Sequence, residues 1–285
     1  MQLHTFGCSI TQGFALPDVV QPLLDSAGKP LSDREVQQQI DSGERAWTDI
    51  HLYKPSKYAW PQVLADRLGC GVNNHARRGA CFNQIARQCA VGVQDITSED
   101  TVIVMWTYLS RLSLQWPART SVPFCNVADP NWGWRTVILG MNKLFGLEPR
   151  KDADAYTEQT IQEYIDTATR HNLDPLGVYD RYYRSLVLQT MTDGFLRSTG
   201  ARVIHLSVET ETVESQLESA RQELDTSLAE PYSIPSPQEF YRLDVDYTSC
   251  FVLLDPSIPT AENDMHPSVT HHANFAQAIH EKYFT

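Results

Sequence analysis

Three short segments carry side chains whose types and spacing suit covalent chemistry. Phe6-Gly7-Cys8-Ser9-Ile10-Thr11 sets a serine behind a glycine near one end, and Asn263-Asp264-Met265-His266-Pro267 sets an acid and an imidazole near the other. A hydroxyl, a carboxylate and an imidazole in the chain order Ser, Asp, His are the parts of a nucleophilic triad, in which the imidazole takes the serine proton and the carboxylate fixes the ring tautomer. Asp264 and His266 are one residue apart, so in an extended segment both side chains project to one side. Asp255 competes with Asp264 as the orienting acid. The third segment, Asn74-His75-Ala76-Arg77-Arg78-Gly79-Ala80-Cys81-Phe82-Asn83-Gln84-Ile85, places Gly79 just ahead of a helical pattern, where a backbone N–H could face an oxyanion. Plainer readings stand beside these. Gly-Cys-Ser is also a turn, Asp264 and Ser268 are also helix caps, and a helix entry needs an unhindered residue whether or not it binds anything.

The elements that must position these groups alternate between strand and helix patterns. Residues 3–7 form a short apolar run ending at the Gly-Cys-Ser turn, as a buried strand delivering its end to a site does. From Tyr58, the residues Trp60, Val63, Leu64 and Leu68 have helical spacing, Gly69 stops them, and residues 71–74 turn into a second strand. Ile85, Ala86, Cys89 and Val93 give another helix, and Thr101-Val102-Ile103-Val104-Met105-Trp106 is apolar throughout, the pattern of a strand covered on both faces. Further on, Tyr179, Tyr183, Val187, Met191 and Phe195 recur every four residues, predicting a long helix buried along that row and ended by Gly200. Strands are predicted at 202–208 and 249–254, a polar helix at about 153–171, a short helix at 32–40 capped by Ser32, and a closing helix at 269–283. The prolines and polar residues of 15–57, and the tryptophans among prolines and asparagines of 108–146, mark these stretches as insertions, the second one loop-rich. The whole is predicted to be a single α/β domain over 1–285, doubly wound, with ligands at the carboxyl ends of the strands.

Composition narrows the partners. The chain has 285 residues, 35 acidic against 23 basic, and a net charge of -12, which repels nucleic-acid backbones and anionic bilayers. No run approaches the roughly 20 apolar residues that span a membrane, and the first residues read as a strand, so the expectation is a cytoplasmic protein where it is synthesised. Six cysteines without paired spacing predict neither disulfides nor zinc.

Together the three segments resemble the SGNH (GDSL-like) hydrolase superfamily. The resemblance implies a three-layer α/β/α sandwich with a mainly parallel, flavodoxin-like sheet of about five strands, and serine chemistry on an ester without metal or organic cofactor. It assigns Ser9 as nucleophile, His266 as base, Asp264 as orienting acid, and the N–H groups of Ser9 and Gly79 as oxyanion donors, with Asn74, Ala76, Asn83 and Ile85 matching the spacing around the glycine. The sequence departs from the family in two places. The usual Asp-x-x-His would put its acid at Asn263, so Asp264 serves from one residue nearer. The Gly-x-Asn expected after the third strand reads Trp106-Thr107-Tyr108, leaving Thr107 as the nearest hydroxyl donor. These departures resemble bacteriophage-encoded members, which would be virion-associated if packaged. The implied substrate is an O-acylated carbohydrate, for instance an acetyl ester on a surface glycan. The alternatives are a non-catalytic binding or phage structural module and an O-acyltransferase.

Around this core, Arg111 and the Arg77-Arg78 pair could hold an anionic group, although solvation or pairing with surface acids is the commoner role of such arginines. Trp116, Trp132 and Trp134 could stack on sugar rings, or pack a core or lid. His271-His272 lie close to His266, but adjacent helical histidines point in different directions, and no metal is expected.

Overall fold

The computed structural model describes residues 1–20, 28–29, 31, 35, 38–39, 54–109, 111–115, 134–138, 143–144, 163, 166–167, 170, 175–209, 213–227, 243–261 and 266–285. The predicted helices at 32–40 and 153–171, and most of the 15–57 segment, lie largely outside them.

The chain forms a three-layer α/β/α sandwich. Its central sheet contains β1 (Gln2–Phe6), β2 (Gly71–Asn74), β3 (Thr101–Trp106), β7 (Arg202–Ser207) and β8 (Val245–Asp246), all parallel, in the order β2-β1-β3-β7-β8. All six residues of β3 are buried, which is why its sequence is apolar without alternation. Helix α1 (Ser9–Gln12) follows β1, α2 (Trp60–Leu68) leads to β2, and α3 (Phe82–Gly92) leads to β3. The chain then runs through α4 (Pro175–Arg197) to β7, α5 (Val213–Ser227) to β8, α6 (Cys250–Leu253), and α7 (Val269–Tyr283). Helix α7 packs on α2 and α6, whereas α3, α4 and α5 pack in succession, so helices cover both faces of the sheet.

Local chemistry explains where the elements stop and meet. Gly69 ends α2 in the left-handed region at φ 63, where a side chain is disfavoured. The N–H of Trp60 donates to His272 Nδ1 at 3.1 Å, so α7 caps α2. Trp60 and Phe275 also meet edge to face with centroids 5.4 Å apart, and both are fully buried. Burial of side chains of this size contributes on the order of 2–3 kcal/mol each.

Three sequence expectations change. Residues 249–254 contain a helix, not a strand. The Asp246 carboxylate accepts the N–H groups of Thr248 (2.9 Å) and Ser249 (3.0 Å), which starts a turn, and only Cys250 and Leu253, three apart, are buried in the helix it opens. The long helix forms, but the buried row is not the one expected. Met191 is 64% exposed, whereas Ser185, Leu186, Gln189, Thr192, Asp193 and Leu196 are buried, because a strict four-residue repeat drifts about 40° per step around a helix of 3.6 residues per turn. The 108–146 segment is also more than loop, for β4 (Arg111–Gln115), β5 (Trp134–Ile138) and β6 (Lys143–Leu144) form an antiparallel sheet there.

The strand order has one consequence for function. From β1 the chain crosses to β2 on one side and returns to β3 on the other, so the carboxyl ends of β1 and β3 flank the point where the winding reverses. In open parallel sheets that crevice binds ligands. Ser9 follows β1 by three residues, and Thr107 immediately follows β3.

Candidate active site

The exit from β1 is built for close approach. A Cβ on Gly7 would collide with Thr11 Oγ1 and lie 3.2 Å from the Met105 carbonyl oxygen, so only glycine lets the chain pass β3 and turn into α1. Cys8 is extended, and Ser9 is the first residue of α1. The Gln12 N–H closes that turn on the Cys8 carbonyl at 3.0 Å, and Gly13 ends it at φ 78. Ser9 is consequently fixed at the sheet edge, 4% exposed.

His266 reaches it from the opposite end of the sequence. Its Nε2 lies 3.0 Å from Ser9 Oγ. The His266 carbonyl accepts the Ala261 N–H at 2.9 Å, which anchors the approach, and Ser268 then caps α7. The Phe14 ring stands edge-on to the imidazole at 5.0 Å, while the Phe14 N–H donates to the Ser9 carbonyl at 3.0 Å. Serine and brace therefore belong to one hydrogen-bonded loop. Ala15, next along, holds φ 67, a left-handed conformation that costs a residue with a Cβ roughly 1–2 kcal/mol.

With Nε2 toward the hydroxyl, a basic imidazole carries its proton on Nδ1, where an orienting carboxylate belongs. Asp264 and Asn263 lie outside the described residues. The competing acid, Asp255, accepts the Ser257 N–H at 2.9 Å, and hydrogen bonds from Ser257 hold its carboxyl below the usual range. Its carbonyl lies 2.9 Å from His271 Nε2, and His271 Nδ1 accepts the Ser268 N–H at 3.1 Å. Both nitrogens of His271 are thus committed to the entry of α7, and Nδ1 of His272 is committed to Trp60. Among the described residues, no group of three or more His, Cys, Asp or Glu is arranged to hold a metal ion.

The segment carrying Gly79 is laced to both flanks of Ser9. The Arg77 N–H donates to the Gly7 carbonyl (3.1 Å), the Arg78 N–H to Gln12 Oε1 (2.9 Å), and the Asn74 amide to the Thr11 carbonyl (2.8 Å). Asn74 Oδ1 in turn accepts the Ala76 N–H at 3.1 Å. Gly79 sits in this turn at φ 70, with nothing within 4 Å of where a Cβ would be. Thr107 is fully buried, and among the described residues its Oγ1 has no hydrogen-bond partner. Burial, then the neighbouring Cys8, pushes the Tyr108 phenol up, so it stays neutral.

Arg111 opens β4 and reaches back to the same turn. Its Nη1 donates to the Ala80 carbonyl at 3.4 Å, its guanidinium stands 5.3 Å from the Tyr108 ring centroid, and its Nε is buried without a partner among the described residues. Trp134 begins β5, where its backbone pairs with Gln115; Trp116 and Trp132 lie outside the described residues.

Sequence reasoning missed a buried network one residue behind Thr107. Trp106 Nε1 donates to His205 Nδ1 at 3.1 Å, and His205 Nε2 lies 3.1 Å from Asp193 Oδ1, which also accepts Arg197 Nε at 2.7 Å. Phe82 stacks on Trp106 at 5.1 Å. The signal was faint: His205 reads as one polar residue in an apolar strand. Phe14 was also missed, although it stands only five residues past Ser9.

Neither a family model nor a curated protein matches the sequence. Two solved structures are similar in chain path. One is an acetyl xylan esterase from the rumen bacterium Butyrivibrio proteoclasticus, 14% identical with a TM-score of 0.37, the match covering 99% of this chain and 64% of that one. The other is a carbohydrate esterase whose active site displays divergent catalytic and non-catalytic binding functions, 9% identical with a TM-score of 0.40, covering 99% and 69%. This chain therefore spans less than two thirds of the length of the first. A functional reading has to rest on the chain's own geometry.

Proposed function

We propose that the protein is a serine hydrolase of SGNH type that cleaves an acyl ester, with an O-acetylated carbohydrate as the substrate class. The observation that carries this reading is the 3.0 Å separation of Ser9 Oγ and His266 Nε2 where the sheet winding reverses. In the proposed reaction, Ser9 Oγ bonds to the ester carbonyl carbon while its proton passes to His266 Nε2, and Asp264 holds the Nδ1–H tautomer. The oxyanion is received by the N–H groups of Ser9 and Gly79 and by the Thr107 hydroxyl, whose lack of a partner among the described residues suits a donor reserved for substrate. The alkoxide leaves with the proton from Nε2, and water, deprotonated by the same nitrogen, releases the acid and restores the serine. No metal or organic cofactor takes part in these steps.

A second reading, a non-catalytic binding module, is favoured by the 4% exposure of Ser9. Acetate release from O-acetylated sugars separates the two. The hydrolase reading expects turnover by the parent, a loss of about a thousandfold or more in Asp264→Asn, and near-parent rates in Asn263→Ala. Absence of turnover in the folded parent supports the binding module, and the reverse order of the two variants removes Asp264 from its role.

A further inference from the structure

Arg111 presents an unusual inventory of donors against the turn that carries Gly79 and Ala80. A guanidinium carries N–H groups on two edges, and the edge formed by Nε and the neighbouring Nη is a planar fork that fits the two oxygens of a carboxylate. Nη1 is engaged by the Ala80 carbonyl at 3.4 Å, while Nε, on the fork edge, is buried and has no acceptor among the described residues. Buried donors are almost always paired in native structures, most of all charged ones, because stripping them of water without replacing the bond is destabilising. Among the described residues no carboxylate pairs with Arg111, although the chain as a whole carries a net charge of -12. The nearby carboxylate of Glu209 accepts the Leu109 N–H at 2.7 Å.

Position makes this donor relevant to chemistry. Ala80 adjoins Gly79, and the turn carrying both is tied through the Arg77 N–H to the Gly7 carbonyl, two residues before Ser9. A second buried group without a partner among the described residues, Thr107 Oγ1, lies four residues before Arg111, immediately after β3. Arg77 and Arg78 add positive charge to the turn, and the Arg78 guanidinium stands 5.5 Å from the centroid of Phe14, the ring that braces His266. The immobile donors here are cationic or neutral, and the fixed fork suits an anion better than a sugar hydroxyl.

We propose that Arg111 recognises a carboxylate on the substrate, so that the ester presented to Ser9 is an anionic one. The inference rests on the reading of Ser9 as nucleophile and adds a substrate class to it. The carboxylate belongs either to the alcohol, as in an acetyl ester on an acidic sugar, or to the acyl group, in which case a dicarboxylic half-ester takes the place of the acetyl group.

Paired substrates test the inference and distinguish its two forms. The acyl-side pair is 4-nitrophenyl butyrate and 4-nitrophenyl hemisuccinate; the alcohol-side pair is the acetyl esters of methyl glucoside and methyl glucuronide. The parent should prefer the acidic member of one pair. In Arg111→Gln the KM for that ester should rise about ten- to hundredfold, with a smaller change in kcat and a much smaller effect on its neutral counterpart. Arg111→Lys should fall between, because a point charge lacks the fork, and it carries the test if the glutamine variant does not fold. Equal losses for acidic and neutral esters, or no preference in the parent, would overturn the inference.

Calorimetric titration of Ser9→Ala with succinate and glucuronate needs no turnover. Arg111-dependent binding in a protein that hydrolyses nothing keeps the anion site and removes the hydrolase reading. Hydrolysis with neither preference nor anion binding does the opposite, and the absence of both removes both.

Discussion

His266 and His205 stand near the carboxyl ends of the same sheet, yet their nitrogens are used in opposite ways. His205 is 2% exposed, with Nδ1 accepting from Trp106 and Nε2 facing Asp193. Burial pushes its pKa down while Asp193 pulls it up, and the burial wins, so the ring stays neutral. Burial likewise pushes Asp193 up, but His205 and Arg197 together outweigh it and keep the carboxylate charged. That network is complete, and its three strongest members come from α4, β7 and β3. Its role is to lock the end of β3, from which Thr107 projects. His266 instead meets a hydroxyl, at 3.0 Å, on a glycine-framed turn that leaves no space for a bulkier backbone path. A histidine with both nitrogens committed within the core holds strands together, and one aimed at a serine hydroxyl at a sheet edge can move a proton.

Exchanging the two histidines for alanine should break this contrast most visibly. His266→Ala should reduce ester turnover by about ten-thousandfold with a change in urea stability below about 1 kcal/mol, since the ring is only half-buried. His205→Ala should cost about 3 kcal/mol or more, because it strands the Trp106 indole N–H, opens a cavity in the core and leaves the Asp193 carboxylate with one partner fewer. Similar stability losses from both would erase the distinction.

Thr107→Val comes next, and it probes the end of β3 that the closed network supports. The variant keeps the shape and removes a buried hydroxyl with no partner, so stability should hold or rise by up to about 1 kcal/mol, while kcat should fall by about a hundredfold if that hydroxyl receives the oxyanion. A stable variant with parent activity would withdraw Thr107 from the reaction.

The smallest effect concerns a third histidine, buried where α7 caps α2. His272 accepts the Trp60 N–H, and burial, followed by the charges of His271 and His266, lowers its pKa to about 3. Because its folded pKa lies below the unfolded value of about 6.5, the unfolded chain binds the extra proton first, and stability falls as the pH drops through that window. Acidification from pH 7 to 5 should cost about 2 kcal/mol through this residue. His272→Asn, which retains an acceptor for Trp60, should flatten thermal unfolding over that range; an unchanged slope would place the acid sensitivity elsewhere, with His75, lowered to about 4 mainly by burial, the next group to examine.

The parts of the molecule legible in the sequence were those where local pattern and tertiary role agree. Residues 101–106 are apolar because both faces are covered, and Gly7, Gly69 and Gly79 mark places where the backbone turns or passes closely. Ser9 and His266 could be paired across the sequence because one stands at the turn that ends a strand pattern and the other just ahead of a helix pattern. Elsewhere the pattern misled. Residues 249–254 look like a strand until the Asp246 carboxylate is seen gathering the N–H groups of Thr248 and Ser249. Helix α5 went unnoticed because its apolar residues Val213, Leu217, Ala220 and Leu224 are sparse among charges, and β8 because two residues make no periodicity. The alternation Arg111-Leu112-Ser113-Leu114-Gln115 was a strand signal obscured by the prolines and tryptophans that follow it. The donor edge of Arg111 could not be read at all, since it depends on where β4 returns to the Gly79 turn.

The central claim is that Ser9 is an activated nucleophile. Intact mass measurement after treatment with a fluorophosphonate tests it directly in the parent and in Ser9→Ala, with circular dichroism to show that both are folded. The account predicts one covalent adduct on the parent and none on the variant. A folded parent that remains unlabelled, or a Ser9→Ala protein labelled equally well, would contradict it.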